Sequence, residues 1–203
     1  MLEEADRERP LRGRRFTYEH GFGLIRPDYY RRVKALDLII AANPTLAYFA
    51  AARSFRMHEA MTQVRIAKHP PSDPWERTVK DWGLPVRSWL REGIVVTGGT
   101  DCPAVAYDPQ RPLLGLYMVT TQETLAGKLL PGEEISREEA LRLWTINGAY
   151  ATFEEGRKGS LEPGKWADLV VLSDDYLTVP DERLPAITVS LTMVGGRIVY
   201  ERA

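Results

Sequence analysis

The sequence predicts an α/β body followed by a small antiparallel β unit. Three observations carry this. Two short apolar runs, Leu38-Ile39-Ile40-Ala41-Ala42 and Ile94-Val95-Val96-Thr97, fit strands buried on both faces. Helix-patterned segments separate the strand-like ones, which implies parallel pairing through right-handed crossovers. After Gly156 the pattern changes to strands alone, which places a boundary between residues 1–156 and 157–203.

In chain order, Arg15-Phe16-Thr17-Tyr18-Glu19-His20 is rich in β-formers and runs into Gly21 and Gly23, so it predicts a strand and a loop. Residues 27–36 have helical spacing, with Pro27 suited to a first turn. The run 38–42 is a strand ended by Asn43-Pro44. Residues 53–68 are mixed, and Pro70, Pro71 and Pro74 break the chain. Residues 86–91 predict a short helix closed by Gly93, and 94–97 a strand ending in Gly98-Gly99-Thr100-Asp101. Residues 112–125 are patterned as a helix. Residues 136–152 form the best-marked helix, because Ser136 and Glu139 make a capping box and Leu141, Trp144, Gly148 and Ala149 share a face. Strands are predicted at 167–172, 187–194 and 197–200, with Gly195-Gly196 as a two-residue hairpin turn. This β unit is too small to bury a core alone. Periodicity leaves an open doubly wound sheet and a closed barrel equally compatible with the α/β body.

Composition excludes several classes. The chain has 203 residues, with 27 Lys+Arg against 28 Asp+Glu, 44% hydrophobic residues and one Cys. That apolar content and near-zero charge exclude a wholly disordered chain, and one Cys excludes an internal disulfide scaffold. The charge balance gives no footprint for nucleic acid. The charged start, Met1-Leu2-Glu3-Glu4, lacks the apolar core of a signal peptide. The longest apolar stretch is far below the roughly 20 residues of a spanning helix. The expectation is a cytoplasmic protein with no membrane or nucleic-acid partner.

Two polar residues fall just past the carboxyl ends of predicted strands, where parallel α/β proteins build their sites: His20 and Asp101. Imidazole and carboxylate are ligands that a divalent metal such as zinc accepts. Each also has a purely structural reading, His20 as a hydrogen-bonded strand-end residue and Asp101 as a turn former. Other candidates are weaker. Cys102 lies beside Asp101, whose charge would raise its pKa rather than activate it. His58 and His69 lie in the poorly patterned middle. Glu19 alternates to the face opposite His20. Arg53 and Arg56 fit a solvated face or an anion contact, and Trp75, Trp82, Trp89 and Trp144 fit core or interface. P-loop, GxGxxG, CxxC and GxSxG motifs are absent from the sequence.

Several segments together resemble the amidohydrolase superfamily. Gly159-Ser160-Leu161-Glu162-Pro163-Gly164-Lys165-Trp166-Ala167-Asp168-Leu169-Val170-Val171-Leu172 resembles its "GSL-PGK-ADLVVL" signature, and Val194-Gly195-Gly196-Arg197-Ile198-Val199-Tyr200 its closing hairpin. Thr145-Ile146-Asn147-Gly148-Ala149 is similar to its "T-N-A" helix, Gly99-Thr100-Asp101-Cys102-Pro103 to its "GSD-P" turn, and Tyr18-Glu19-His20 to its "IEH" strand end. The combination resembles the amidohydrolase 3, or YtcJ-like, group.

The resemblance implies a metal-dependent hydrolase, with a divalent metal such as zinc, acting on carbon–nitrogen bonds other than peptide bonds in small amide-like substrates. It implies a TIM-like barrel with a small β-sandwich built from both chain ends. His20 would be a metal ligand from the sixth strand, and Asp101 the eighth-strand carboxylate that binds metal and acts as general base, then acid. The chain departs from the pattern: it has three His and no His-x-His, whereas a complete barrel takes about 250 residues. The expectation is a carboxyl-terminal portion, from the sixth strand to the chain end, that works with a missing amino-terminal half or as a homo-oligomer. The alternative is a non-catalytic remnant serving as a structural or interaction module.

Overall fold

The computed structural model describes residues 2–21, 25–48, 83–101, 111–125 and 127–202. Helix α1 (Leu2–Glu8) leads into β1 (Thr17–Tyr18). A 3₁₀ turn (Pro27–Tyr29) runs into α2 (Tyr30–Ala35), followed by β2 (Ile39–Ala42). Helix α3 (Val86–Arg91) precedes β3 (Val95–Gly98), and α4 (Pro112–Thr121) follows it. Strands β1, β2 and β3 lie side by side in chain order, all parallel, with Thr17 opposite Ile39 and Ile40 opposite Val96. The alternation of strand and helix thus gives the parallel pairing expected of it.

β2 is buried at all four positions, as a continuous apolar run requires when helices cover both faces. The core joins Ile40 and Val96 to Trp89 of α3, Met118 and Val119 of α4, and Leu143. β1 is shorter than residues 15–20 because Arg15 and His20 both have positive φ, +53° and +55°, which take the backbone out of the extended region. Arg15 is fixed beyond that strand by both oxygens of Glu155, by the Tyr150 carbonyl, and by stacking on the Tyr150 and Phe153 rings.

Two expected helices are shorter than their pattern. The segment 112–125 leaves the helix at Gln122, whose φ is +58° and whose N–H closes on the Met118 carbonyl. The chain then forms a ribbon of β4 (Glu123–Thr124) and β5 (Gly127–Lys128). The segment 136–152 divides into α5 (Arg137–Trp144) and α6 (Ile146–Ala151). Its capping box is formed: Ser136 Oγ accepts from Glu139 N at 3.1 Å and Glu139 Oε2 from Ser136 N at 2.8 Å. The break comes at Thr145 (φ −117°, ψ −96°), and Asn147 Nδ2 donates to the Val96 carbonyl at 2.9 Å, fastening α6 to β3. A tertiary hydrogen bond thus redirects the local helical periodicity. The deepest positions of α5 are Ala140 and Leu143, while Leu141 and Trp144 are half-buried.

The last part is an antiparallel sheet of β6 (Leu169–Leu172), β7 (Val189–Val194) and β8 (Arg197–Glu201). Gly195 and Gly196 have φ of +56° and +78°, the pair of left-handed residues that a tight hairpin turn between twisted strands demands. Asp168 Oδ1 accepts from Gly195 N at 2.7 Å and braces that turn. Tyr176, Leu184 and Ile187, between β6 and β7, insert into the main core, so the segment linking these strands ties the β unit to the body. The sheet itself leaves Val170, Ile198 and Val199 more than half exposed.

Candidate functional site

Because β1, β2 and β3 are parallel and adjacent, their carboxyl ends share one edge of the sheet. His20 lies two residues past β1, Asn43 directly past β2, and Asp101 three residues past β3. The chain turns off this edge through left-handed backbone at His20 (φ +55°) and Asp101 (φ +58°). Left-handed backbone at non-glycine residues is costly and clusters at functional sites.

The edge is laced together by its backbone. Gly21 N donates to the Ala41 carbonyl at 3.3 Å, and Gly99 N to the Ala42 carbonyl at 3.0 Å. His20 Nδ1 lies 3.1 Å from Asn43 Oδ1. His20 and Asp101 are half-buried, and Asn43 is 4% exposed. At the end of β3, the Trp144 indole packs on Gly98, where a Cβ would fall 2.2 Å from Trp144 Cδ2. The ring's far edge meets Gly115, where a Cβ would fall 2.6 Å from Cζ2. Glycine at 98 therefore serves close packing rather than backbone freedom.

The structure brings His20 and Asp101 to the same edge. The donor types suit a divalent cation, but catalytic zinc takes three protein ligands. Among the described residues no group of three or more His, Cys, Asp or Glu is placed to hold a metal. The two residues therefore fit a metal in chemistry and fall short of it in number. His58, His69, Cys102, Arg53, Arg56, Trp75 and Trp82 lie outside the described residues. Glu19 is exposed, Trp89 is fully buried in the core, and Trp144 packs between Gly98 and Gly115. An open cleft of about 300 Å³ lies elsewhere, walled by Leu2, Tyr18, Tyr29, Val33 and Leu38, and includes neither His20 nor Asp101. Among the described residues no helix is long and apolar enough to cross a membrane.

Sequence reasoning used Asn43 only as a strand terminator. The signal that finds it is positional: a polar residue directly after a fully apolar parallel strand sits on the same edge as His20 and Asp101.

The sequence model described as "Amidohydrolase family" matches residues 1–200. The chain is 32% identical over 185 residues to the N-substituted formamide deformylase of Arthrobacter pascens, a match covering 91% of this chain and 30% of the deformylase. It is 29% identical over 139 residues to the amidohydrolase-like protein YtcJ of Bacillus subtilis (strain 168), covering 64% of this chain and 26% of YtcJ. Its fold matches the zinc-complexed atrazine chlorohydrolase TrzN of Arthrobacter aurescens TC1, with a TM-score of 0.58 and 22% identity over 91% of this chain and 36% of that one. The chain thus spans about a third or less of the length of these relatives.

Proposed function

We propose that this chain, which belongs to the amidohydrolase family, supplies part of the site of a metal-dependent hydrolase acting on carbon–nitrogen bonds other than peptide bonds. The observation that carries the reading is the placement of His20 and Asp101 past the carboxyl ends of β1 and β3, on one edge of a parallel sheet with β2 between them. His20 is a metal ligand, and Asp101 is both a ligand and the residue that moves the proton. The metal is divalent, zinc by analogy with the zinc-complexed chlorohydrolase. When bound, such a metal lowers the pKa of a water and polarises a carbonyl. Two donors do not hold it alone, and the remaining ligands come from outside the described residues.

Asp101 takes the proton of the attacking water and returns it to the leaving nitrogen, which avoids expelling an amide anion. Asp101 has left-handed backbone three residues past the Gly98–Trp144 contact. The substrate is a small amide; the likeness to a formamide deformylase supports an N-substituted formamide as the first candidate.

The architecture we propose is a partial TIM-like barrel over residues 1–156, with β1, β2 and β3 as barrel strands, and residues 157–203 as part of a composite β-sandwich. Sequential parallel order supports the first. The exposed apolar residues of β6 and β8 support the second, since further strands would cover them. Additional polypeptide, as an amino-terminal half or a second copy, would complete both. The working compartment is the cytoplasm.

The test is a chimera in which this chain replaces the matching 30% of the Arthrobacter pascens deformylase. The folded, zinc-loaded chimera should hydrolyse N-substituted formamides; D101N should abolish turnover, and H20A should lower zinc content. A chimera that turns over equally well with D101N defeats the assignment. A folded chimera with neither zinc nor activity supports a non-catalytic module.

A further inference from the structure

We infer that Asn43 is a positioning residue that fixes the tautomer of His20, placing the proton on Nδ1 and leaving Nε2 as the nitrogen offered to a ligand. The inference rests on the proposed reading only for what Nε2 then meets.

Asn43 is polar, yet only 4% exposed, at the end of a strand that is otherwise Ile and Ala. Its backbone carbonyl is engaged by Ala47 N at 3.3 Å. Its side chain faces sideways along the edge, with Oδ1 3.1 Å from His20 Nδ1. The other end of the amide, Nδ2, lies 3.2 Å from where a Cβ on Gly99 would stand. One carboxamide therefore spans from the turn after β1 to the turn after β3, the two turns that carry His20 and Asp101. Glycine at 99 leaves room for it.

An amide oxygen carries no proton. Its hydrogen bond with Nδ1 therefore requires the proton to be on Nδ1, so the neutral ring keeps its lone pair on Nε2. A partner that fixes ring tautomer and orientation in this way sets how a histidine presents itself to a metal or a substrate. The amide turned end for end would give the opposite tautomer, with Nδ2 donating to an unprotonated Nδ1.

The experiment is long-range ¹H–¹⁵N NMR on the full chain with labelled histidines, at a pH where the rings are neutral. The H20Q spectrum assigns His20 among the three His. The expected result is the Nδ1–H form for His20 in the parent chain, kept in N43D, which preserves an acceptor. N43A should lose it and move to the Nε2–H form that free imidazoles favour. An Nε2–H tautomer in the parent chain overturns the inference, as does a folded N43A that keeps the Nδ1–H form. Should N43A unfold, the parent chain and N43D still decide the matter. No metal is needed, so failure here leaves the hydrolase reading standing, and failure of zinc binding leaves the role of Asn43 standing.

Discussion

Replacing Gly98 by alanine tests the packing of Trp144 on the end of β3, just before the Asp101 turn. The new Cβ would stand 2.2, 2.3 and 2.4 Å from three atoms of the Trp144 indole. Carbon atoms in contact sit about 3.5–4.0 Å apart, so the ring must retreat by more than about 1 Å. It cannot slide freely, because its far edge already meets Gly115. Overpacking of this kind costs about 1–3 kcal/mol. For a chain of this size each kcal/mol lowers Tm by about 2–4 °C, so G98A should melt about 2–12 °C lower. G148A is the control: that glycine lies within α6 with nothing within 4 Å of its added Cβ, and alanine there should gain about 0.5–1 kcal/mol. In G98A/W144L the smaller side chain should recover part of the loss. That swap removes an indole N–H that is buried with no partner among the described residues, so it carries little hydrogen-bond penalty. Thermal and urea unfolding measure all four proteins. A G98A variant within about 0.5 kcal/mol of the parent would refute the packing argument.

Further outcomes follow from charge, burial and capping. The Arg15 guanidinium bonded to Glu155 holds that carboxyl below its ordinary value; the stability this gives is present above the unfolded pKa and is lost as pH falls through the lowered folded one. E155Q should therefore flatten the acid limb of the urea midpoint against pH, and an unchanged limb would contradict the coupling. Burial pushes the Tyr30 phenol up from 10.0 to about 12; the folded state keeps its proton longer, so stability is intact below pH 10 and falls towards pH 12 by up to about 1.4 kcal/mol per pH unit. Y30F should remove that part of the alkaline loss, and identical alkaline limbs would count against it. S136A, which removes the cap of α5, should cost about 1 kcal/mol by urea unfolding; no change would mean the cap contributes nothing here.

Much of the fold was legible because the signals were local. The run at 38–42 became a buried strand with its first residue trimmed, and residues 86–91 became α3 as predicted. The Gly195-Gly196 turn and the Ser136 capping box need only neighbouring residues to form. The misjudged extents have long-range causes. Residues 136–152 read as one helix because nothing in their spacing reveals that Asn147 bonds to Val96, a strand residue about fifty positions earlier. Residues 15–20 read as a full strand because β-propensity is blind to the positive φ at Arg15 and His20. At the site, the strand-end rule placed His20 and Asp101 on one edge, which the parallel order of β1, β2 and β3 bears out. The lacing from Asn43 to His20 depends on which strands are neighbours, and the packing of Trp144 on Gly98 and Gly115 depends on which helices cover β3, so local spacing reveals neither contact.

In the proposed site, His20 and Asp101 share one cation. The most direct test is to titrate zinc into the metal-free deformylase chimera and follow the His20 imidazole and Asp101 carboxyl signals by NMR. Both should move together along one binding curve, and H20A should silence the response of Asp101 as D101N silences that of His20. A shift at one residue that survives removal of the other, or zinc that leaves both signals in place, would contradict it.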